Sequence, residues 1–490
     1  MNIMKKSSRT YLCFNPLFIG AFLCLVLLVL VLHPYIAYDE ALWGYIGRAW
    51  TVNGLVPYLG TVENKTPGIL ILYAISEYFT TGNFIIERFI GALAVIFSSY
   101  YLYKICKRLH SEFAGIIAMC LFTLTSCWRV MDGFSLAQTE TFMVFFSIIS
   151  FYILIQENSK YTLNTRVFMA GVFLGLAISF KQIAITTSAA FFLFYFINLS
   201  EDKGVSKRVL GTLYFIIGIV IGVASLFLVM SFYGVSVQDY LSGAWYILLD
   251  SGSAAPDLKT RMLNFFRVFI SSRFILFYLF LYLFKLQYIE LKNKYIVGIL
   301  IWLAFDFIGV NASGYYYGHQ IKQIFAPIVI LSAIGIASFV EKKKYFNYKN
   351  HVYIAVLVVL FFPYLQFKNI ASAFVKGDVE PSRTLGEWLE SETKESDYIY
   401  VLSNDQILIK ALYFSKRRSS SQYFHSIFIN SEQSNQVLSR ELKEKPPVFL
   451  LKETLPALEN TKYSTDVIAF IQNNYTLYKE ESYYQIFKHN

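Results

Sequence analysis

Along most of the chain, apolar runs long enough to cross a membrane alternate with short polar stretches, and after about residue 370 this gives way to short alternating segments. A hydrocarbon core about 30 Å thick takes roughly 20 apolar residues of helix. Runs of that order stand at about 14–37, 84–103, 113–127, 141–155, 167–180, 183–197, 210–232, 265–284, 295–310, 321–340 and 352–366. The pattern predicts eleven spans. The run at 69–79 is short for a crossing and carries Glu77 before Thr80-Thr81-Gly82, which predicts a juxtamembrane helix. Ahead of it, Leu42, Trp43, Ile46, Ala49 and Trp50 fall on one helical face and Arg48 on another, ending at Asn53-Gly54. That spacing predicts a helix lying on the membrane with Asp39 as its N-cap.

The final segment reads differently. A helix at 384–389, strands at 398–402 and 447–451 with a polar helical stretch between them, and a hairpin over 475–487 predict a small α/β domain. The chain therefore divides into a transmembrane domain over 1–369, whose first external loop is 38–83, and a soluble domain over 370–490. The expected fold class is a polytopic α-helical membrane protein with juxtamembrane helices and a small C-terminal α/β domain.

Composition supports this class. Of 490 residues, 56% are hydrophobic and 16% charged, too apolar for a soluble protein of this size. The net charge of +10 could suggest a nucleic-acid partner, but Lys104, Lys107, Arg108 and Lys342-Lys343-Lys344 lie in loops that all fall on one side of the membrane. That is a topology signal, and no nucleic-acid partner is expected. With Lys5, Lys6 and Arg9 cytoplasmic and the first apolar run retained, the loop after it and the C-terminal domain lie outside. The cysteines, Cys13, Cys24, Cys106, Cys120 and Cys127, show no CxxC or zinc spacing and read as packing residues.

Charges at membrane depth are expensive, so those present usually face a cavity or a partner. Here Arg129, Asp132, Glu140, Lys181, His319 and Lys322 stand at the outer ends of the spans, in one layer with Asp39, Glu40, Glu63 and Lys65. Some of these have plainer explanations. Arg129 and Asp132 fit an interfacial salt bridge, Lys181 fits a snorkelling residue, Glu87-Arg88 a local pair at a helix start, and Asp306 a buried structural partner. Capping alone, however, would accept Ser or Asn at position 39 and leaves Glu40 unexplained. The expected catalytic carboxylates are Asp39 and Glu40. Lys65, Arg129, Lys181, His319 and Lys322 would hold a phosphate, and Trp43, Tyr58, Glu63, Glu140 and Tyr317 would line the cavity. Such a site suits transfer of a sugar from a lipid phosphate: a carboxylate takes the acceptor's proton while cations hold the departing phosphate, with inversion at the anomeric centre.

Tyr38-Asp39-Glu40 followed by Glu63-Asn64-Lys65-Thr66-Pro67-Gly68 resembles the first external loop of the GT-C glycosyltransferases in the protein O-mannosyltransferase and lipid A aminoarabinose transferase group. Ala137-Gln138-Thr139-Glu140, the stretch from Gly175 to Lys181, and Gly318-His319-Gln320 extend the likeness. It implies Asp39 as base, Lys65 at the lipid phosphate, a polyprenyl-phosphate sugar as donor, and a glycan, lipid or protein acceptor on the outer face of a bacterial inner membrane. Two features depart from the group. Thr66-Pro67 replaces a pair of prolines, and the loop at 233–264 has no His beside the displaced Glu63, so no divalent metal is expected to be required. The alternatives are a transporter or flippase of lipid-linked sugars, which would favour midplane polar groups and paired halves, and a glycan polymerase or ligase.

Overall fold

The computed structural model describes residues 16–127, 135–156, 160–199, 204–247, 256–271, 275–286, 288–289, 293–342, 380–454 and 462–490. The chain forms two compact units: 1–34 with 87–227 and 255–375, and 35–86 with 228–254 and 376–490.

The first unit is a helical bundle. It holds α1 (Pro16–Val31), most of α4 (Ile85–Leu109), α5 (Glu112–Ser126), α6 (Thr139–Leu154), α7 (Leu163–Phe180), α8 (Ala184–Phe194) and most of α9 (Val205–Phe232). It also contains α11 (Leu258–Phe269), α12 (Ile275–Lys285), α13 (Lys294–Asn311), a 3-10 turn at Gly318–Ile324 and α14 (Phe325–Lys342). Among the described residues, five helices are long and apolar enough to cross a membrane, beside several shorter apolar ones. The expected span at 352–366 lies outside the described residues. The expected span at 265–284 is not one helix. Lys259, Arg261 and Arg267 make α11 amphipathic, it ends at Ile270, and Arg261 turns aside to donate to the Asn311 and Ala312 carbonyls that terminate α13.

Helices α7 and α9 meet backbone to backbone through two matching Gly-xxx-Gly pairs, Gly171/Gly175 and Gly218/Gly222. A Cβ at Gly175 would stand 2.2 Å from the Ile219 carbonyl oxygen, and one at Gly222 equally close to that of Val172. Lipid offers helices no hydrophobic drive to associate, so close packing of this kind holds them together. Gly175→Leu is expected to cost about 3 kcal/mol or more, lowering Tm and the yield of monodisperse protein. Gly20→Ala, which meets nothing within 4 Å, should change neither.

The second unit joins α2 (Tyr38–Asn53), α3 (Pro67–Phe79) and α10 (Val237–Leu241) to the C-terminal α/β segment. That segment runs α15 (Pro381–Glu392), β1 (Tyr398–Val401), α16 (Gln406–Phe414), β2 (Arg418–Ser419), α17 (Glu432–Glu444), β3 (Phe449–Glu453), α18 (Thr465–Asn474), β4 (Tyr475–Glu480) and β5 (Tyr484–His489). The sheet order is β2-β1-β3-β5-β4, with β1 parallel to both neighbours and the β4–β5 hairpin antiparallel against β3. Tyr400, Leu438, Leu450, Val467 and Ile471 form its core. The expected strands and hairpin are all present.

Two expectations for α2 are corrected. Its N-cap is Ala37, not Asp39, and Glu40 at the third position reaches back to accept the Ala37 N–H at 3.0 Å, the half of a capping box that an alanine cap allows. Nor does α2 lie half in water, because residues 40–50 are all buried. Arg48, expected on a polar face, donates to the Tyr413 carbonyl at 2.6 Å and sits 4.7 Å above the Tyr413 ring. The Tyr413 hydroxyl donates in turn to buried Glu77 on α3 at 2.6 Å. An amphipathic pattern marks one apolar face, and here the C-terminal segment covers the other.

Candidate active site

In the second unit the site is built on α2 and the loop after it. With Glu40 committed to the cap, Asp39 stands partly exposed on the first turn. Its carboxylate has no hydrogen-bond or ion-pair partner among the described residues, and Glu63 lies within its electrostatic reach. Glu63 is buried; it accepts the Asn64 N–H at 3.0 Å and faces the Lys65 ammonium at 3.3 Å. Burial pushes the Glu63 carboxyl up from its usual range, and Lys65 opposes that. Lys65 also donates to Asn64 Oδ1 at 2.8 Å and keeps 28% of its side chain exposed, so it can exchange these partners for an anion from outside. Tyr58 donates through its hydroxyl to the Lys65 carbonyl at 2.6 Å. Trp43 is buried edge-on against Tyr73, 5.5 Å between ring centroids.

The C-terminal segment frames this loop, and the sequence reading had missed its residues. The Tyr38 hydroxyl donates to Asn404 Oδ1 at 2.6 Å, the Val62 N–H to the Gln422 carbonyl at 3.0 Å, and the Ser419 N–H to the Tyr45 hydroxyl at 2.9 Å. His425, 1% exposed, accepts the Ile427 N–H at Nδ1, and its buried Nε2 has no partner among the described residues. Burial, with the positive charges of Lys65 and Lys462 nearby, pushes the His425 imidazole down to about 3. It is neutral at physiological pH. No local spacing links His425 to a loop some 360 residues earlier.

The first unit gathers the other candidates. Glu140, at the start of α6, pairs with Lys181 just past α7, and His319 Nε2 lies 3.8 Å from the same carboxylate. Tyr317 stacks on His319, centroids 5.7 Å apart. Lys322 is buried and donates to Gln138 at 2.6 Å. Glu140 and Lys322 line one small cavity with Ser98 and Ser126. Three stretches distant in sequence, 137–140, 175–181 and 318–322, thus converge. Asp306 accepts from Thr187 at 2.6 Å and Gln323 at 3.1 Å, which pins the 3-10 turn carrying His319 and Lys322, as expected of a structural partner. Arg88 donates to the His33 carbonyl at 2.5 Å, tying α4 to the end of the first helix. Arg129 and Asp132 lie outside the described residues. Among the described residues, no group of three or more His, Cys, Asp or Glu is placed to hold a metal.

Residues 64–230 match the family described as dolichyl-phosphate-mannose-protein mannosyltransferase. No curated protein sequence matches the chain. Among solved structures, the chain is similar to ArnT from Cupriavidus metallidurans bound to undecaprenyl phosphate: 12% identity, TM-score 0.62, covering 98% of each chain. The apo state of that protein gives 11% identity and a TM-score of 0.60, over 96% of this chain and 97% of that one. The oligosaccharyltransferase AglB from Archaeoglobus fulgidus, in complex with an inhibitory peptide and a dolichol-phosphate, gives 12% identity and a TM-score of 0.56, over 89% of this chain and 69% of that one. The expected GT-C fold is borne out, and so is a multi-pass membrane protein that is a glycosyltransferase.

Proposed function

We propose that this glycosyltransferase of the GT-C fold moves one sugar from a polyprenyl-phosphate donor to a hydroxyl of an envelope glycan, lipid or protein, at the outer face of a bacterial inner membrane. The acceptor oxygen attacks the anomeric carbon and its proton passes to the Asp39 carboxylate. The bond from that carbon to the phosphate oxygen breaks, its electron pair leaves with the phosphate, and the products are an inverted glycoside and a polyprenyl phosphate. Lys65 meets the growing charge on the phosphate. The observation that carries this reading is the side-chain arrangement at the start of α2: Glu40 serves the cap, while Asp39 has no such engagement among the described residues and shares its loop with Lys65. The reading keeps the expectation that no divalent metal is required, which rests on the absence of His from the loop at 233–264.

Mass spectrometry of envelope glycans and lipid A, from cells with and without the protein, tests the reaction. One product is expected to lose a single sugar increment in the cells lacking it. An unchanged envelope across donor-replete cells would remove the proposal.

A further inference from the structure

Tyr58 is a bulky residue held in the left-handed region, φ +71°. A side chain with a Cβ rarely adopts that conformation, and it persists only where its surroundings over-determine it. The turn around it is tight: the Tyr58 N–H donates to the Thr61 carbonyl at 3.0 Å and the Gly60 N–H to that of Val56 at 2.7 Å. Its ring meets Tyr240 edge-on at 6.0 Å, and its hydroxyl fixes the Lys65 carbonyl. On the remaining side it meets Gly243, where a Cβ would stand 2.4 Å from Tyr58 Cδ1, so only glycine lets the helix approach this closely.

Gly243 is presented by an unusual element. Helix α10, opened by a Ser236–Asp239 capping box, runs directly into a π-helical turn at Ser242–Tyr246. Such turns are rare and occur frequently at functional sites. We infer that Tyr58 is a positioning residue for Lys65, and that the helical segment 237–246 sets it through Tyr240 and Gly243. The contact acts on the main chain of Lys65. With its carbonyl held, the root of the flexible lysine stem is fixed, and the ammonium swings over a narrow arc between Glu63, Asn64 and an incoming phosphate. The inference rests on the reading of Lys65 as the lysine that meets the lipid phosphate, and names what aims it.

The test measures binding of undecaprenyl phosphate to the full chain in nanodiscs, beside Tm, for Lys65→Ala, Tyr58→Phe, Gly243→Ala and the Tyr58→Phe/Gly243→Ala double variant. Tyr58→Phe keeps the ring and removes only the hydroxyl. It is expected to weaken binding roughly tenfold with little change in Tm. Gly243→Ala should weaken binding similarly by displacing the ring, and the double variant should fall well short of the product of the two, because both act through one contact. Undiminished binding by folded Tyr58→Phe, where Lys65→Ala loses it, overturns the inference. Multiplicative effects in the double variant do the same. Wild-type binding by Lys65→Ala instead removes the lysine–phosphate reading itself, and the positioning role with it.

Discussion

Asp39→Asn is expected to lower transfer about a hundred- to ten-thousand-fold while leaving undecaprenyl phosphate binding within about a factor of two. Asparagine keeps the size and hydrogen-bonding reach of the side chain but cannot take a proton from the acceptor. The substitution also disturbs little structure, because Asp39 is not the cap and its carboxylate has no partner among the described residues. Glu40→Gln provides the contrast. Glutamine fills the third position of a capping box as glutamate does, so this variant should stay near wild-type activity. The pair of variants assigns the base between adjacent carboxylates that the sequence offers on equal terms. Were Glu40→Gln dead and Asp39→Asn active, the roles would be reversed.

Acid sensitivity is the second large effect. His425 titrates near 3 in the folded chain and near 6.5 when unfolded. Between those values the unfolded chain holds a proton that the folded one does not, so stability present above pH 6.5 drains away as pH falls. The loss is about 1.4 kcal/mol for each pH unit. Glu63, whose carboxyl is pushed up from 4.5, works in the opposite direction as pH falls toward 4.5 and returns part of the loss there. Burial holds the imidazole neutral, and the nearby positive charges of Lys65 and Lys462 add to it. The Tm of the full chain should drop steeply between pH 7 and pH 4. In His425→Gln it should start lower, for want of packing, and fall less over the same interval. Equal slopes in the two proteins would refute the assignment.

How much of this was legible in the sequence follows from the range of each interaction. Most of the apolar runs, the Asp39-Glu40 pair shortly before Lys65, and the alternating strands after residue 370 are local patterns, and the structure has helices and strands at those places among the described residues. The amphipathic reading of α2 failed because burial of its polar face by Tyr413 depends on a partner 365 residues away. The N-cap was misplaced because Asp39 and Glu40 both fit a helix start, and only the side-chain geometry shows which one reaches back. The break at Ile270 was hidden by the aromatic residues flanking it, which keep the hydropathy high although α11 and α12 are separate helices. The Gly171/Gly175 and Gly218/Gly222 spacings did stand in the sequence as two small-xxx-small pairs, and reading them would have paired α7 with α9.

Helix α2 and the loop after it are among the first parts of the chain to leave the ribosome, yet their hydrogen-bond partners Asn404, Tyr413, Ser419 and Gln422 are among the last. Helix α2 therefore waits for these partners until synthesis is nearly complete. A stop codon falling between the end of the helical unit and Gln422 would leave that unit complete while α2 and the loop after it lack these partners.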